Sequence, residues 1–368
     1  MSADRPPQLP RPGRRLLRLV LAVLVGLVAI EGLVRARQLL RHGTTNETVL
    51  ARDVDEVTGR TIPLPGSAVA GIRICSRGFR GDEIDVPKPA GRVRIAFLGA
   101  STTFCAEATS NETTWPHLVV TTLRERYPGI EFDLVNAAVP GYMSRHSLER
   151  FEVRVAALEP DVVIVYHGTN DLGYDSRLAA EAEGLELPSQ DGPTGLARWS
   201  LAYNLVHKTL QVRDRLRRSR GVAGRLSADV EALSLDFEVR LDELVRAARA
   251  VAPVVAVATF SKKVRRGQSP GEQLGNCNTS LFYMPYMTVE TLLDGFDAYN
   301  GVVRRVARSQ GAVLIENEDS IPGDAEHFAD SVHLTDVGCE AMAARVVRGL
   351  VESDAFRTVL DATEPAAK

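Results

Sequence analysis

Short apolar strands alternate with amphipathic helices along most of this chain, and the alternation limits the fold more than any other feature. Runs with the length and composition of buried strands occupy residues 93–99, 132–137, 162–166, 254–258 and 312–315. Between these runs apolar residues recur at helical spacing, as at Leu292, Phe296 and Tyr299. This pattern predicts one α/β domain of three layers over residues 92–352, with helices on both faces of a five-stranded, mainly parallel sheet.

A basic segment and an uninterrupted apolar run over residues 19–30, which lies within the longer helical segment 16–34, precede that domain. The segment 16–34 contains nineteen residues, which at about 1.5 Å per residue just cross a hydrocarbon core of roughly 30 Å. No small-residue cleavage site follows cleanly, so we expect a retained transmembrane anchor rather than a removed signal peptide. A buried helix of a soluble domain is the alternative, which the lack of a polar stripe disfavours.

The arginines around the apolar run predict which side of the membrane the domain occupies. Five arginines lie in front of the run, and three follow it closely. The positive-inside rule therefore predicts a cytoplasmic segment 1–15 and a single-pass cell-membrane protein whose catalytic bulk is extracytoplasmic, that is periplasmic or extracellular.

The remaining segments differ in composition from the predicted domain. Residues 35–91 are rich in Gly, Pro and charge and are predicted to form a stalk and lead-in, and residues 353–368 a C-terminal tail. The segments 172–227 and 259–288 are too long for ordinary crossovers. Both begin near strand ends, so we expect insertions over the carboxyl edge of the sheet, where open α/β folds bind ligands.

Overall charge and cysteine spacing exclude some classes of function. Lys and Arg number 44 against 47 Asp and Glu, so no strong positive field is available to attract nucleic acid. Cys75, Cys105, Cys277 and Cys339 fit no zinc spacing, and no metal site is predicted. Outside the cytoplasm they could pair as disulfides in any of three complete pairings, although Cys339 also fits a buried thiol.

Polar residues and a glycine follow the first three predicted strands. Ser101 lies between the first strand and a helix, and Gly141 and Asn170 follow the second and third strands. Since parallel strands end at one edge, all three should lie at the same crevice. Each has an ordinary interpretation, because serine is a common helix N-cap and Gly and Asn commonly form turns.

The fifth strand precedes an Asp and a His three residues apart. Asp330 and His333 are close enough in sequence for the carboxylate to fix the imidazole tautomer. A serine hydroxyl is too weakly acidic to attack an ester without such a base beside it. A surface carboxylate and a capping histidine are the alternative interpretation of this pair.

The four blocks, in this order, resemble the SGNH (GDSL-type) hydrolase family. The blocks are Gly99-Ala100-Ser101-Thr102, Gly141, Gly168-Thr169-Asn170-Asp171 and Asp330-Ser331-Val332-His333. The resemblance covers residues 92–350 and implies the flavodoxin-like SGNH hydrolase fold. Together with the lead-in Gly78-Phe79-Arg80-Gly81, the blocks are similar to a membrane-anchored branch of the family. One departure is Ala100, where the family has the Asp of Gly-Asp-Ser.

The resemblance also implies roles for individual residues. Ser101 would be the nucleophile, His333 the general base and then acid, and Asp330 its orienting partner. The oxyanion hole would comprise the Ser101 N–H, the Gly141 N–H and the Asn170 side chain. This chemistry requires no metal or other cofactor.

The expected function is a serine esterase acting on an ester or acylated carbohydrate, such as O-acetyl groups of extracytoplasmic carbohydrate. The alternatives are a carbohydrate O-acyltransferase with the same residues and a non-catalytic glycan-binding or scaffold module. His167 is a candidate substrate contact because it adjoins the third block. Lys262 and Arg265 are candidates for binding anionic substrates, although a basic run is more commonly a solvated loop. The sequence does not identify a protein partner.

Overall fold

The computed structural model describes residues 12–42, 50–185, 187, 200–218, 225–227 and 229–363. The chain divides into two compact units, one comprising residues 1–49 and 190–211 and the other residues 50–189 and 212–368. The residues outside these ranges fall in the predicted cytoplasmic segment, in the stalk, in and directly after the first insertion, and in the C-terminal tail, and those parts of the predictions lie outside the described residues.

The smaller unit contains helix α1 (Pro12–His42). Over Leu16–Leu40 it is apolar and long enough to cross a membrane, either as an anchor or as a signal sequence. Glu31 lies within this span, and its carboxylate accepts hydrogen bonds from the Ser200 hydroxyl at 2.8 Å and the Leu201 amide at 2.9 Å. The Glu31 carboxylate therefore accepts hydrogen bonds from groups at the N-terminal end of the helix that starts at Leu201, where backbone amides have no partner within the helix.

Two short hairpins begin the larger unit. They pair β1 (Arg52–Val54) with β2 (Thr61–Pro63) and β3 (Ala68–Val69) with β4 (Ile72–Arg73). The predicted lead-in is thus ordered over much of its length.

The main sheet has five parallel strands in the order β6-β5-β7-β8-β9. They are β5 (Arg92–Gly99), β6 (Glu131–Asn136), β7 (Val162–Tyr166), β8 (Val254–Ala258) and β9 (Val313–Ile315). Every strand begins and ends within one residue of its prediction. All residues of β7 and β8 are buried, as expected for Val-rich strands covered on both faces.

Helices cover both faces of the sheet, so the predicted three-layer α/β fold is confirmed. The other α-helices of the described residues are α2 (Ser101–Phe104), α3 (Trp115–Arg126), α4 (Ser144–Arg150), α5 (Thr169–Ala182), α6 (Leu201–Arg218), α7 (Val230–Arg249), α8 (Pro270–Asn276), α9 (Asn278–Tyr283), α10 (Val289–Gln310), α11 (Asp336–Val351) and α12 (Asp354–Thr363). Helix α6 begins in the smaller unit. Helices α4, α5 and α10 pack against α7, and α3 packs against α11.

Local structure departs from the predictions in a few places. Helix α4 continues through a π-turn (Phe151–Val155) into a 3-10 turn (Ala156–Leu158), which preserves the predicted helical spacing. Within the predicted tail, α12 buries Phe356 because its apolar side faces the core. All four cysteines are buried free thiols, so none of the three disulfide pairings is formed.

Candidate active site

Strand β5 turns into helix α2 within two residues and leaves Ser101 at the start of that helix. A Cβ on Gly99 would lie 2.1 Å from the Thr103 hydroxyl oxygen and 2.7 Å from the Tyr166 carbonyl oxygen, so only glycine permits this turn. Ala100 occupies the N-cap position. The interpretation of Ser101 as an N-cap is therefore wrong, and its hydroxyl remains free for another partner.

That partner is His333, although 232 residues separate the two in sequence. The Ser101 Oγ lies 2.8 Å from the His333 Nε2, and the His333 Nδ1 lies 2.8 Å from the Asp330 Oδ2. Thr335 is the N-cap of α11, so the interpretation of His333 as a capping residue is also wrong. The three side chains form a continuous hydroxyl–imidazole–carboxylate chain, which can carry a proton away from the hydroxyl.

The electrostatic environment keeps Asp330 ionised and strengthens His333 as a base. Burial lowers the pKa of His333, but the hydrogen bond and charge of Asp330 outweigh burial and raise that pKa above its ordinary value. Burial also raises the pKa of Asp330, but the hydrogen bond and charge of His333 outweigh it, so the pKa of the carboxyl is lowered. The two shifts have the directions expected of an ion pair once the imidazole is protonated.

Gly141 and Asn170 lie together at the same edge of the sheet. The Asn170 Nδ2 donates to the Tyr142 carbonyl at 2.9 Å, and Gly141 adopts a φ of 89°, which favours glycine. Among the described residues, neither the Gly141 N–H nor the Ser101 N–H donates to a backbone carbonyl. Both main-chain donors are therefore available to a ligand.

The acidic residue of the third block has a structural role. Asp171 is buried and accepts hydrogen bonds from the Ser144 hydroxyl at 2.6 Å and the Ser144 amide at 3.2 Å. Ser144 begins α4 directly after the loop that contains Gly141. Asp171 thus connects that loop to helix α5, which carries Asn170, and holds the second and third blocks together.

Arg80 supports helix α2, which carries Ser101, a role that the sequence analysis missed. Its buried guanidinium donates to the carbonyls of Phe104 and Cys105 at 2.8 and 2.7 Å, and to the carbonyl of Ser110 at 2.9 Å. It also donates to the Asn111 side chain at 3.0 Å. The first two carbonyls end α2, where a cation is favourable. Arg80 lies in the lead-in motif, but its neighbours in sequence do not reveal these contacts.

The structure argues against a substrate contact at His167. Its side chain is only 1% exposed, and its Nε2 lies 2.8 Å from the Ser147 hydroxyl. Burial lowers the pKa of His167 to about 3, so the ring is neutral in the core. The side chain of His167 points into the domain, which its position next to the third block could not indicate.

Lys262 and Arg265 are also unavailable to an anionic substrate. Lys262 is buried, with its Nζ 3.5 Å from the Asp297 carboxylate and 5.8 Å from the Phe296 ring centroid. Arg265 forms a 3.1 Å ion pair with Asp319. The solvated-loop interpretation is wrong for Lys262, because the side chain is buried, and its contact with Asp297 argues against binding of an anionic substrate.

The second insertion supports the histidine loop. The Ser331 hydroxyl oxygen accepts hydrogen bonds from the Thr279 and Ser280 amides at 2.9 and 3.2 Å, at the start of α9. In addition, the Lys263 amide donates to the Ser331 carbonyl at 2.9 Å. The segment between Asp330 and His333 is therefore fixed by the insertion rather than exposed.

Comparison with known proteins gives one match to a family. The GDSL-like lipase/acylhydrolase family model matches residues 97–341, more than half of the chain. No protein among those with curated descriptions matches.

Solved structures of similar proteins include Axe2, an acetylxylan esterase from Geobacillus stearothermophilus. It is 18% identical with a TM-score of 0.43, over 71% of this chain and 94% of that chain. LAE5, an α/β hydrolase from the metagenome of Lake Arreo in Spain, is 16% identical with a TM-score of 0.43, over 71% of this chain and 96% of that chain. On the family match, the chain belongs to the GDSL-like lipase/acylhydrolase family and is an SGNH-type serine hydrolase.

Proposed function

We propose that this protein is a membrane-anchored esterase in which Ser101, His333 and Asp330 form the catalytic triad. The observation that carries the proposal is the pair of 2.8 Å contacts that link the hydroxyl to the imidazole and the imidazole to the carboxylate. A non-catalytic binding module would not require this chain of proton-transferring groups.

The first step forms an acyl-enzyme. The Ser101 Oγ attacks the ester carbonyl carbon while its proton moves to the His333 Nε2, and the carbonyl oxygen gains the negative charge. The bond from the carbonyl carbon to the alcohol oxygen then breaks, and the Nε2 proton passes to the departing alcohol. Asp330 stabilises the imidazolium that exists between these two transfers.

The second step returns the enzyme to its starting state. Water enters in place of the alcohol, gives a proton to the His333 Nε2 and attacks the acyl carbon. The bond from Ser101 Oγ to that carbon breaks, the Nε2 proton returns to Oγ and the carboxylic acid leaves.

Three donors stabilise the oxyanion in both steps. They are the Ser101 N–H, the Gly141 N–H and the Asn170 Nδ2. The Asn170 amide group has two N–H donors, and only one is directed to the Tyr142 carbonyl, so the second can bind the oxyanion. Loss of one such donor raises the barrier by about 2.7–4 kcal/mol in typical enzymes.

We propose that the natural substrates are O-acyl esters, such as O-acetyl groups, on extracytoplasmic carbohydrate. The apolar span of α1 supports this location, because an anchored enzyme meets the carbohydrate next to its own membrane. The bias of arginines toward the N-terminal side of α1 supports an extracytoplasmic domain.

Replacement of the Ser101 hydroxyl tests the esterase proposal. Ser101→Ala in the full-length, detergent-solubilised protein should lower kcat/KM for 4-nitrophenyl acetate by at least about 10³-fold, because no other group can form the acyl-enzyme. Ser67→Ala is the matched control, since the Ser67 hydroxyl bonds only to the Leu64 carbonyl in the lead-in. Both variants should retain the parent circular dichroism spectrum and unfolding temperature. Parent-level hydrolysis by folded Ser101→Ala would refute the proposal.

A further inference from the structure

Arg145 and Tyr174 form a stacked pair with a fixed orientation. The guanidinium carbon of Arg145 lies 4.6 Å from the Tyr174 ring centroid, and its Nη1 lies 3.4 Å from the Tyr174 hydroxyl. Both members of the pair are half-buried. These contacts orient the planar group before any ligand arrives. Within the described ranges of the chain the Nη2 donors have no hydrogen-bond partner, so they remain for a ligand.

The pair is carried by α4 and α5, the two helices that begin at the proposed oxyanion hole. Arg145 follows Ser144, which the buried Asp171 holds through both its amide and its hydroxyl. Tyr174 follows Asn170 by four residues in α5, and residues at that spacing are neighbours on one helix face, about 5–6 Å apart at Cβ. The same buried carboxylate therefore positions both the oxyanion-hole loop and the stacked pair.

The charge of Arg145 lacks a carboxylate partner within the part of the chain that the structure describes. The nearby carboxylate on α4, Glu149, binds Arg60 through two hydrogen bonds of 2.8 and 2.9 Å. His146 cannot supply a negative charge in either protonation state, and burial and the charges of Arg60 and Arg145 lower its pKa to about 4, so the ring is neutral. A fixed, part-exposed cation next to a reaction centre is suited to an anionic ligand group.

We propose that Arg145, supported by Tyr174, is a specificity subsite that binds a carboxylate of the acylated substrate. The substrate class is then an O-acyl ester of an acidic carbohydrate, such as one that contains uronic acid. A guanidinium binds a carboxylate through two parallel N–H donors, a geometry that a lysine ammonium does not provide. This inference rests on the proposed esterase function and assigns the anion contact to Arg145 instead of Lys262 and Arg265.

The test compares two esters that differ at one group. The probes are mono-O-acetylated methyl glucoside, which carries a hydroxymethyl group, and mono-O-acetylated methyl glucuronide, which carries a carboxylate at that position. The full-length parent protein should have the higher kcat/KM for the glucuronide. Arg145→Gln should reduce the glucuronide-to-glucoside ratio by about tenfold, mainly through KM, because the variant loses the charge-assisted hydrogen bonds to the carboxylate.

Three further measurements separate recognition from a structural effect. Arg145→Lys should restore only part of the ratio, because it keeps the charge without the planar fork. Arg305→Gln, which removes an ion pair to Glu238 on another surface, should leave the ratio at the parent value. The parent preference should also decrease as salt increases, because salt screens a part-exposed charge.

The outcomes distinguish this inference from the esterase proposal. If the parent hydrolyses neither the two sugar esters nor 4-nitrophenyl acetate, the esterase proposal fails and the subsite inference fails with it. If it hydrolyses 4-nitrophenyl acetate but neither sugar ester, the subsite inference alone is overturned. If the parent cleaves both without preference, or if Arg145→Gln lowers both rates equally, the subsite inference is overturned and the esterase proposal stands.

Discussion

At the scale of single residues, Asp330 organises its own loop and the imidazole at the same time. Its Oδ1 accepts hydrogen bonds from the Val332 and His333 amides at 2.9 and 2.8 Å, while its Oδ2 faces the His333 Nδ1. The carboxylate is therefore fixed by the backbone that carries the histidine. This explains why a spacing of three residues is sufficient for a rigid pair.

Asp330→Asn should lower kcat/KM by about 10²- to 10⁴-fold. The asparagine retains an oxygen for the two amides, but the amide NH2 that replaces Oδ2 donates to Nδ1. The proton then lies on Nε2, which can no longer accept from Ser101. Circular dichroism and the unfolding temperature should show that the variant remains folded.

The pH profile gives a second readout of the same change. The base must be unprotonated, so activity rises with pH through the His333 pKa, which the hydrogen bond and charge of Asp330 raise after burial has lowered it. Without that charge the pKa falls, so the acid limb of kcat/KM should move to lower pH in Asp330→Asn. An acid limb at the parent position would contradict an active-site role for the carboxylate.

Residue-level predictions depend on whether the relevant contacts are local in sequence. The Asp330 and His333 spacing is local and could be predicted. The environments of His167 and Lys262 are not local, because burial by distant elements determines where each side chain points. Arg145 escaped the sequence analysis since its partner Tyr174 is 29 residues away, and a lone arginine in a helix carries no signal.

At the scale of elements, helix α2 depends on a residue outside it. The helix has four residues, too few for stability on its own, and its final carbonyls are paired with the buried Arg80. The Arg80 guanidinium also lies 5.0 Å from the Phe104 ring centroid. The lead-in thereby fixes the element that carries Ser101.

Arg80→Gln should lower the free energy of unfolding by about 3 kcal/mol, because buried carbonyls lose their donors at about 1–3 kcal/mol each. It should also lower kcat by about 10- to 100-fold with little change in KM, since displacement of α2 misplaces the nucleophile. Urea unfolding and steady-state kinetics measure the two effects.

Arg345→Gln is the matched control for this prediction. Arg345 is also buried and donates to the Thr259 and Ile315 carbonyls at 2.8 and 2.9 Å, at the ends of β8 and β9. The Arg345→Gln variant should show a similar decrease in the free energy of unfolding, but its kcat per folded molecule should be nearly unchanged. An equal loss of kcat in both variants would show that Arg80 is merely structural.

Helices and strands could be predicted where they have a clear apolar pattern. A strand that is buried on both faces of the sheet appears in the sequence as an unbroken apolar run. This holds for the five strands, and helical spacing identified α7, α10 and α11. The hairpins of the lead-in and helices α8 and α9 lack such a pattern, so the sequence alone did not predict them. Contacts that are distant in sequence contribute to their stability. The hydrogen bonds from the α9 amides to Ser331 are an example.

At the scale of the whole molecule, the proposed site and the apolar helix belong to different units. All triad and oxyanion-hole residues lie in the unit that comprises 50–189 and 212–368, whereas α1 lies in the other. The sequence of the apolar segment was sufficient to predict a helix that can cross a membrane. Retention of that helix as an anchor is a separate proposal.

The full-length protein should remain in the membrane pellet after alkaline carbonate extraction, and its intact mass should include residues 1–34. A variant that lacks residues 1–42 should appear in the soluble fraction and retain ester hydrolysis, because its site residues are all present. A mature protein without the apolar segment would show a cleaved signal sequence and contradict the anchor.

The most direct test of the central claim is to map where a serine-directed fluorophosphonate reacts. The Oγ–phosphorus bond forms as the phosphorus–fluorine bond breaks, and the reaction requires a base beside the hydroxyl. Peptide mass spectrometry of the labelled full-length protein should find a single adduct, on Ser101, that is absent in Ser101→Ala and forms far more slowly in His333→Gln. An adduct on another residue, or equally rapid labelling without His333, would contradict the account.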